Sequence, residues 1–176
     1  MNYSEFINSE FFRFFNIRIE KSTEKASDIT IVHLKTGGFQ EHIDIFISID
    51  KEGDILEGKL FLDRKWIGDA NTINPFGTDI SKSFIALLFP HDLQPDFKKH
   101  LIHYLFNLRG DNQVYIPLHK AFQEFEDAAP EVKPFLDVYR GQKESKIKSI
   151  EDFSLTLKNL QAEGKDRLLI KLSFEE

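Results

Sequence analysis

The chain has 176 residues, 41% hydrophobic and 30% charged, the mix of a folded globular chain and not of a disordered one. Lys and Arg total 23 against 29 Asp and Glu, a formal charge of −6 that argues against a general nucleic-acid binder, because neutralising phosphates needs a basic surface. The absence of cysteine removes disulfides, thiol nucleophiles, iron–sulfur clusters and thiolate zinc sites together.

At the N-terminus, Ser4 to Phe15 reads as one helix. At 100° per residue, Tyr3, Phe6, Ile7, Phe11, Phe14 and Phe15 share a broad apolar face, and Phe12 falls among Glu5, Asn8 and Ser9 on the polar side. Four strand-like segments follow: Ile17 to Lys21, Asp28 to Leu34, His42 to Asp50 and Ile55 to Asp63. The third is the clearest, with Ile43, Ile45, Ile47 and Ile49 on one face and Asp44, Phe46 and Ser48 on the other. Short turns such as Lys51-Glu52-Gly53-Asp54 make these neighbours antiparallel, so they form a meander.

The chain then turns helical. Thr78 is the expected cap of a helix from Asp79 to Phe89, with Ile80, Phe84, Leu87 and Leu88 as its buried stripe and Pro90 as its stop. A second helix is expected from Gln94 to Leu108, ended by Gly110. Leu118 to Asp127 and Glu131 to Tyr139 read as two shorter helices split by Pro130. Arg140 to Ser149 reads as an exposed loop. Ser149 to Glu163 carries both a strand-like alternation and a helical spacing. The pairing of Ser149 with Asp152 and the position of Gly164 favour a helix. Arg167 to Phe174 closes the chain as a strand.

This order predicts an α+β fold in one domain, residues 1–176: an N-terminal helix, an antiparallel meander of about four strands, a helical middle section and a C-terminal strand returning to the sheet. The longest apolar run, Phe84 to Phe89, is far short of the ~20 residues that span a bilayer. Met1 to Phe15 places Glu5 and Glu10 before its first basic residue, Arg13, which is the reverse of a secretory signal. The expected location is cytoplasmic, without membrane contact.

Motifs for chemistry are sparse. Asp96, His100, His103 and Asn107 fall on one flank of the second predicted helix, where a carboxylate and two imidazoles could hold a divalent metal such as zinc or manganese. No HExxH-type signature accompanies them, and a solvated flank explains the same residues. His91-Asp92 is the dipeptide of the HD phosphohydrolases, yet it stands in a Pro90-flanked turn, where Asp92 suits the turn itself. Gly77 to Ser83 departs from a phosphate loop, because Phe76 and Ser81 occupy the places of its two glycines. Arg109-Gly110-Asp111 spells an adhesion tripeptide by chance, and no GxSxG elbow exists.

Interaction signals are better. Phenylalanine is abundant, 18 residues, with four of them in Phe11-Phe12 and Phe14-Phe15. Phe12, turned away from the apolar face of its helix, needs a second surface. Arg64 and Trp66, at the exit of the last meander strand, are residue types enriched at interface hot spots. The sequence therefore favours a non-enzymatic interaction or adaptor domain without a cofactor. Phe12, Arg64 and Trp66 would meet a protein partner or a second copy in a homodimer. The alternative is a small metal-dependent enzyme built on Asp96, His100 and His103.

Overall fold

The computed structural model describes residues 1–25, 28–69, 72–106 and 121–174. Two short helices, α1 (Tyr3–Ile7) and α2 (Glu10–Phe14), lead into strands β1 (Arg18–Glu24), β2 (Thr30–Lys35), β3 (Ile43–Ile49) and β4 (Ile55–Asp63). Helices α3 (Arg64–Ile67), α4 (Pro75–Leu88), α5 (Pro95–Phe106) and α6 (Ala121–Tyr139) follow, then β5 (Ser145–Ile150), β6 (Phe153–Ala162) and β7 (Lys165–Phe174). All seven strands form one antiparallel sheet in the order β1-β2-β3-β4-β7-β6-β5. The expected α+β architecture is present, with the last strand returning beside β4. No helix among the described residues is long and apolar enough to cross a membrane.

One face of the sheet packs under the helices. Ile43, Ile45 and Ile47 from β3, Leu60 and Leu62 from β4, and Leu168, Ile170 and Leu172 from β7 are fully enclosed there. They meet Ile80, Phe84, Ile85 and Leu88 of α4. Gly58 makes this approach close: a Cβ there would stand 2.4 Å from Leu88 Cδ1 and 3.1 Å from Phe84 Cζ. A glycine inside a strand marks such a contact.

Five expectations from the sequence need correction. The N-terminal helix is broken in two, because Ser9 donates its hydroxyl to the Phe6 carbonyl (2.6 Å) and accepts from Phe12 N–H (3.3 Å), capping a new helix. The break resets the helical phase. Phe12 turns inward and meets Phe6 edge-on at 6.1 Å, and Phe14 turns out to solvent, 78% exposed. Helix α4 starts at Pro75, four residues before the expected Asp79, because Asn74 Oδ1 caps it by accepting from Phe76 N–H (2.9 Å). Residues 140–149 are not all loop, since β5 begins at Ser145.

Phe153 to Ala162 is a strand, not a helix: Phe153, Leu155 and Leu157 alternate into the core. Glu163 (φ 52°) and Gly164 (φ 76°) make the two-residue turn to β7, so this glycine closes a hairpin and does not stop a helix. Finally, α6 runs through Pro130 and Pro134 as one helix. The two prolines lie four residues apart and put their missing N–H groups on one side. The opposite side, with Val132, Phe135, Leu136 and Tyr139, packs without interruption. Asn107, the expected stop at Gly110, the tripeptide 109–111 and the expected helix start at Leu118 lie outside the described residues.

Ile47 lies in an interior strand and is fully enclosed. Ile47→Ala should lower the unfolding free energy by roughly 2 to 5 kcal/mol in denaturant melts, through lost transfer energy and the cavity left behind.

Candidate functional site

Arg64, the first residue of α3, directs its guanidinium at groups of its own chain. Its Nη1 donates to Asn159 Oδ1 (2.9 Å) and to the Val138 carbonyl (3.5 Å). Its Nη2 donates to the Tyr139 carbonyl (2.6 Å) and to the Gly68 carbonyl. Val138 and Tyr139 end α6, whose last carbonyls have no partner within the helix, so a guanidinium there satisfies them and favours the negative end of the helix dipole. Asn159 completes the joint by donating to the carbonyls of Val138 (2.7 Å) and Lys143 (2.9 Å). Burial lowers the basicity of Arg64 somewhat, yet a guanidinium stays charged.

Trp66 belongs to a string of rings along one end of the sheet. Phe14 meets Phe15 edge-on at 4.9 Å, Phe15 meets Phe76 at 5.6 Å, and Phe76 meets Phe39 at 4.8 Å. Phe39 and His42 each lie 5.3 Å from Trp66, the imidazole stacked nearly parallel to the indole at 12°. Trp66 and Phe76 are half-buried, but Phe14 and Phe39 stand out at 78% and 46% exposure. Phe14 stands at the edge of a groove of ≈ 590 Å³ that it lines together with the apolar Met1, Phe11, Phe15, Ala86 and Leu87, and with Glu10 and His91 among its polar members. Of the three residues expected to form a partner surface, Trp66 joins this string, Phe12 packs inward and Arg64 serves as an internal tie. The sequence reading missed Phe14 and Phe39. Phe39 was the more findable, since an aromatic residue directly after Gly37-Gly38 has no strand or helix to bury it.

The face of the sheet opposite the aliphatic core carries a charge network. Asp44 Oδ1 accepts from His33 Nε2 (2.7 Å) and pairs with Lys35 Nζ (2.5 Å), and its Oδ2 accepts from Arg167 Nη1 (3.0 Å). Arg167 Nε lies 3.5 Å from Asp63 Oδ1, and Asp63 Oδ2 lies 3.0 Å from His42 Nδ1. The ring of His33 stacks on Phe46 at 4.4 Å. Asp44 and Arg167 are both buried, so each charge depends on the other for compensation. A second group on the same face joins Glu57 to Lys59 and to Lys171 (2.8 Å). Burial alone would raise the pKa of Asp44 and of Glu57, but hydrogen bonds and charge from their lysine partners, with His33 and Arg167 at Asp44, hold both below the ordinary carboxylate range.

On α5, Asp96 is exposed and His100 and His103 are half-buried. Their ligating atoms are not brought together as a set. Among the described residues, the one such group within 4.8 Å is Asp50, Glu52 and Asp54. That group builds the β3–β4 turn, where Asp50 Oδ1 accepts from the N–H groups of Glu52 (2.9 Å) and Asp54 (2.8 Å).

Comparison with known proteins gives no relative: no family model, no curated protein and no solved structure matches the chain.

Two outcomes follow from these contacts. Arg64→Ala strands the end of α6 and should cost about 2 to 3 kcal/mol in denaturant melts, because buried carbonyls lose a charged donor. Arg64→Lys should recover little of this, since one ammonium cannot span the same acceptors. The second outcome concerns acid. Asp44 and Glu57 are more acidic folded than unfolded, so below about pH 4 the unfolded chain takes up protons that the folded chain refuses. Their stabilisation is complete above that range and is lost as pH falls through the folded values. Denaturant midpoints measured from pH 6 downward should show that decline with a shallower slope in Asp44→Asn, from a lower starting stability.

Proposed function

We propose that this chain is a non-enzymatic, cytoplasmic interaction domain that works through its string of aromatic rings, with a second copy of itself as the partner. The observation that carries the reading is Phe14, 78% exposed at the edge of an apolar groove. Large apolar side chains left in water next to an apolar groove are the mark of a contact surface. The ring that projects and the groove that can receive it belong to the same chain. Two copies related by a two-fold axis can therefore seat each other's Phe14, which is the self-complementary arrangement of an isologous dimer. Each Phe so buried contributes roughly 1.5 to 3 kcal/mol, and the two-fold axis makes that contribution twice. Phe39 and Trp66 continue the surface, and aromatic residues of this kind dominate interface energetics.

Sedimentation of the wild-type chain over a concentration series should show self-association. Phe14→Ser should abolish it and leave the melting temperature nearly unchanged. Phe12→Ser should do the opposite, lowering the melting temperature because Phe12 packs against Phe6. A wild-type chain that stays monomeric at every concentration overturns the reading.

A further inference from the structure

A second concavity lies between α4 and α5, with a volume of ≈ 440 Å³ and a lining of opposite character to the apolar groove. Lys82 comes from α4, Lys98 and Lys99 from α5, and two imidazoles, His91 and His103, complete the polar wall. Pro95 and Ile102 supply a small apolar wall, and among the described residues no carboxylate lines the cleft. Three lysines and two imidazoles make this cleft locally basic in a chain of formal charge −6. Asp92 and Asp96, adjacent to this segment in sequence, are exposed and outside the lining.

Lys98 gives the cleft a built element. It is only 8% exposed, and its Nζ donates to the Phe89 carbonyl at the end of α4 (2.6 Å). The same Nζ lies 3.3 Å from His91 Nδ1. An ammonium can only donate, so its contact with His91 makes Nδ1 the acceptor and places the imidazole proton on Nε2. Lys98 then has one N–H remaining after these two contacts, and His91 has an Nε2–H. Burial disfavours the charged form of Lys98, and an anion alongside would compensate that cost.

We propose that this cleft binds a small phosphoryl-bearing anion. Lys98 is the fixed ammonium at its base, Lys82 and Lys99 are the outer cations, and the Pro95–Ile102 wall lies against the organic part of the ligand. Lysines suit this task because a phosphoryl group accepts point charges from several directions. The cleft adjoins the Phe14 groove, with which it shares His91, but none of its lysines lines that groove.

Calorimetric titration of the full chain with pyrophosphate, and with inorganic phosphate, tests the proposal. One saturable site is expected for pyrophosphate, with weaker binding of phosphate. Lys82→Glu and Lys99→Glu change exposed residues, so they should fold, and each should weaken pyrophosphate by at least roughly tenfold. Lys21→Glu, an exposed lysine on the edge strand β1, is the control for general electrostatics and should bind as the wild type does. Phe14→Ser should also bind normally, which separates this site from the self-association surface. The proposal is overturned by the absence of saturable heat up to about 10 mM pyrophosphate, a concentration that would reveal even millimolar affinity. Equal weakening by Lys82→Glu and Lys21→Glu would overturn it as well, because binding would then be a diffuse effect of net charge.

Discussion

The seam between β4 and β7 joins two halves that the sequence encodes separately. The first four strands and the last three are each paired by local turns, and every helix from Arg64 to Tyr139 lies in the chain between them. They become one sheet only along the antiparallel register from Glu57↔Ser173 to Asp63↔Arg167. That register brings Arg167 between Asp44 and Asp63, and a slip of one residue would turn it to the other face. The same register aligns Leu60 with Ile170 and Leu62 with Leu168 under the helices. Arg64 follows β4 immediately and locks the end of α6 against β6, so the helical layer is fastened at the point where the seam begins.

The sheet is therefore two-faced in composition as well as in position. Its covered face is aliphatic and admits α4 closely at Gly58. Its other face holds ion pairs and stacked rings, the polar side that an antiparallel sheet allows. Buried ion pairs add little net stability over apolar packing, but losing one member is costly. The network on that face thus acts mainly on register, by making misaligned strands expensive.

Much of this was legible in the sequence, and the misses share a physical cause. The four-strand meander and the returning strand were readable because alternation over Ile43 to Ile49 and Leu168 to Phe174 is a local signal. The N-terminal break was not, because one hydroxyl, Ser9, outweighed a continuous apolar period. Residues 153–162 satisfied both periods, and the choice was made by pairing with Lys165 to Phe174, a tertiary fact. Capping by Asn74 was visible as Asn-Pro, but Thr78 offered the same chemistry four residues later. As for the candidate site, Trp66 was placed in the right region. Phe14 exchanged roles with Phe12 when the helix broke, and the partnership of Asp44 with Arg167 spans too much chain for any motif to record.

The two outer strands of the sheet bear on how the protein behaves in a crowded solution. All seven residues of β1 are exposed, and its register slips between Ile19 and Lys21. Arg18, Glu20, Lys21 and Glu24 place a charge on most of its length, and at the far edge β5 carries Lys146 and Lys148 beside the exposed Ile147. An irregular, charged margin offers no clean template for another backbone. Fibrous polymerisation by strand addition is thereby discouraged at both ends, and encounters between molecules are left to side chains instead of main-chain ladders.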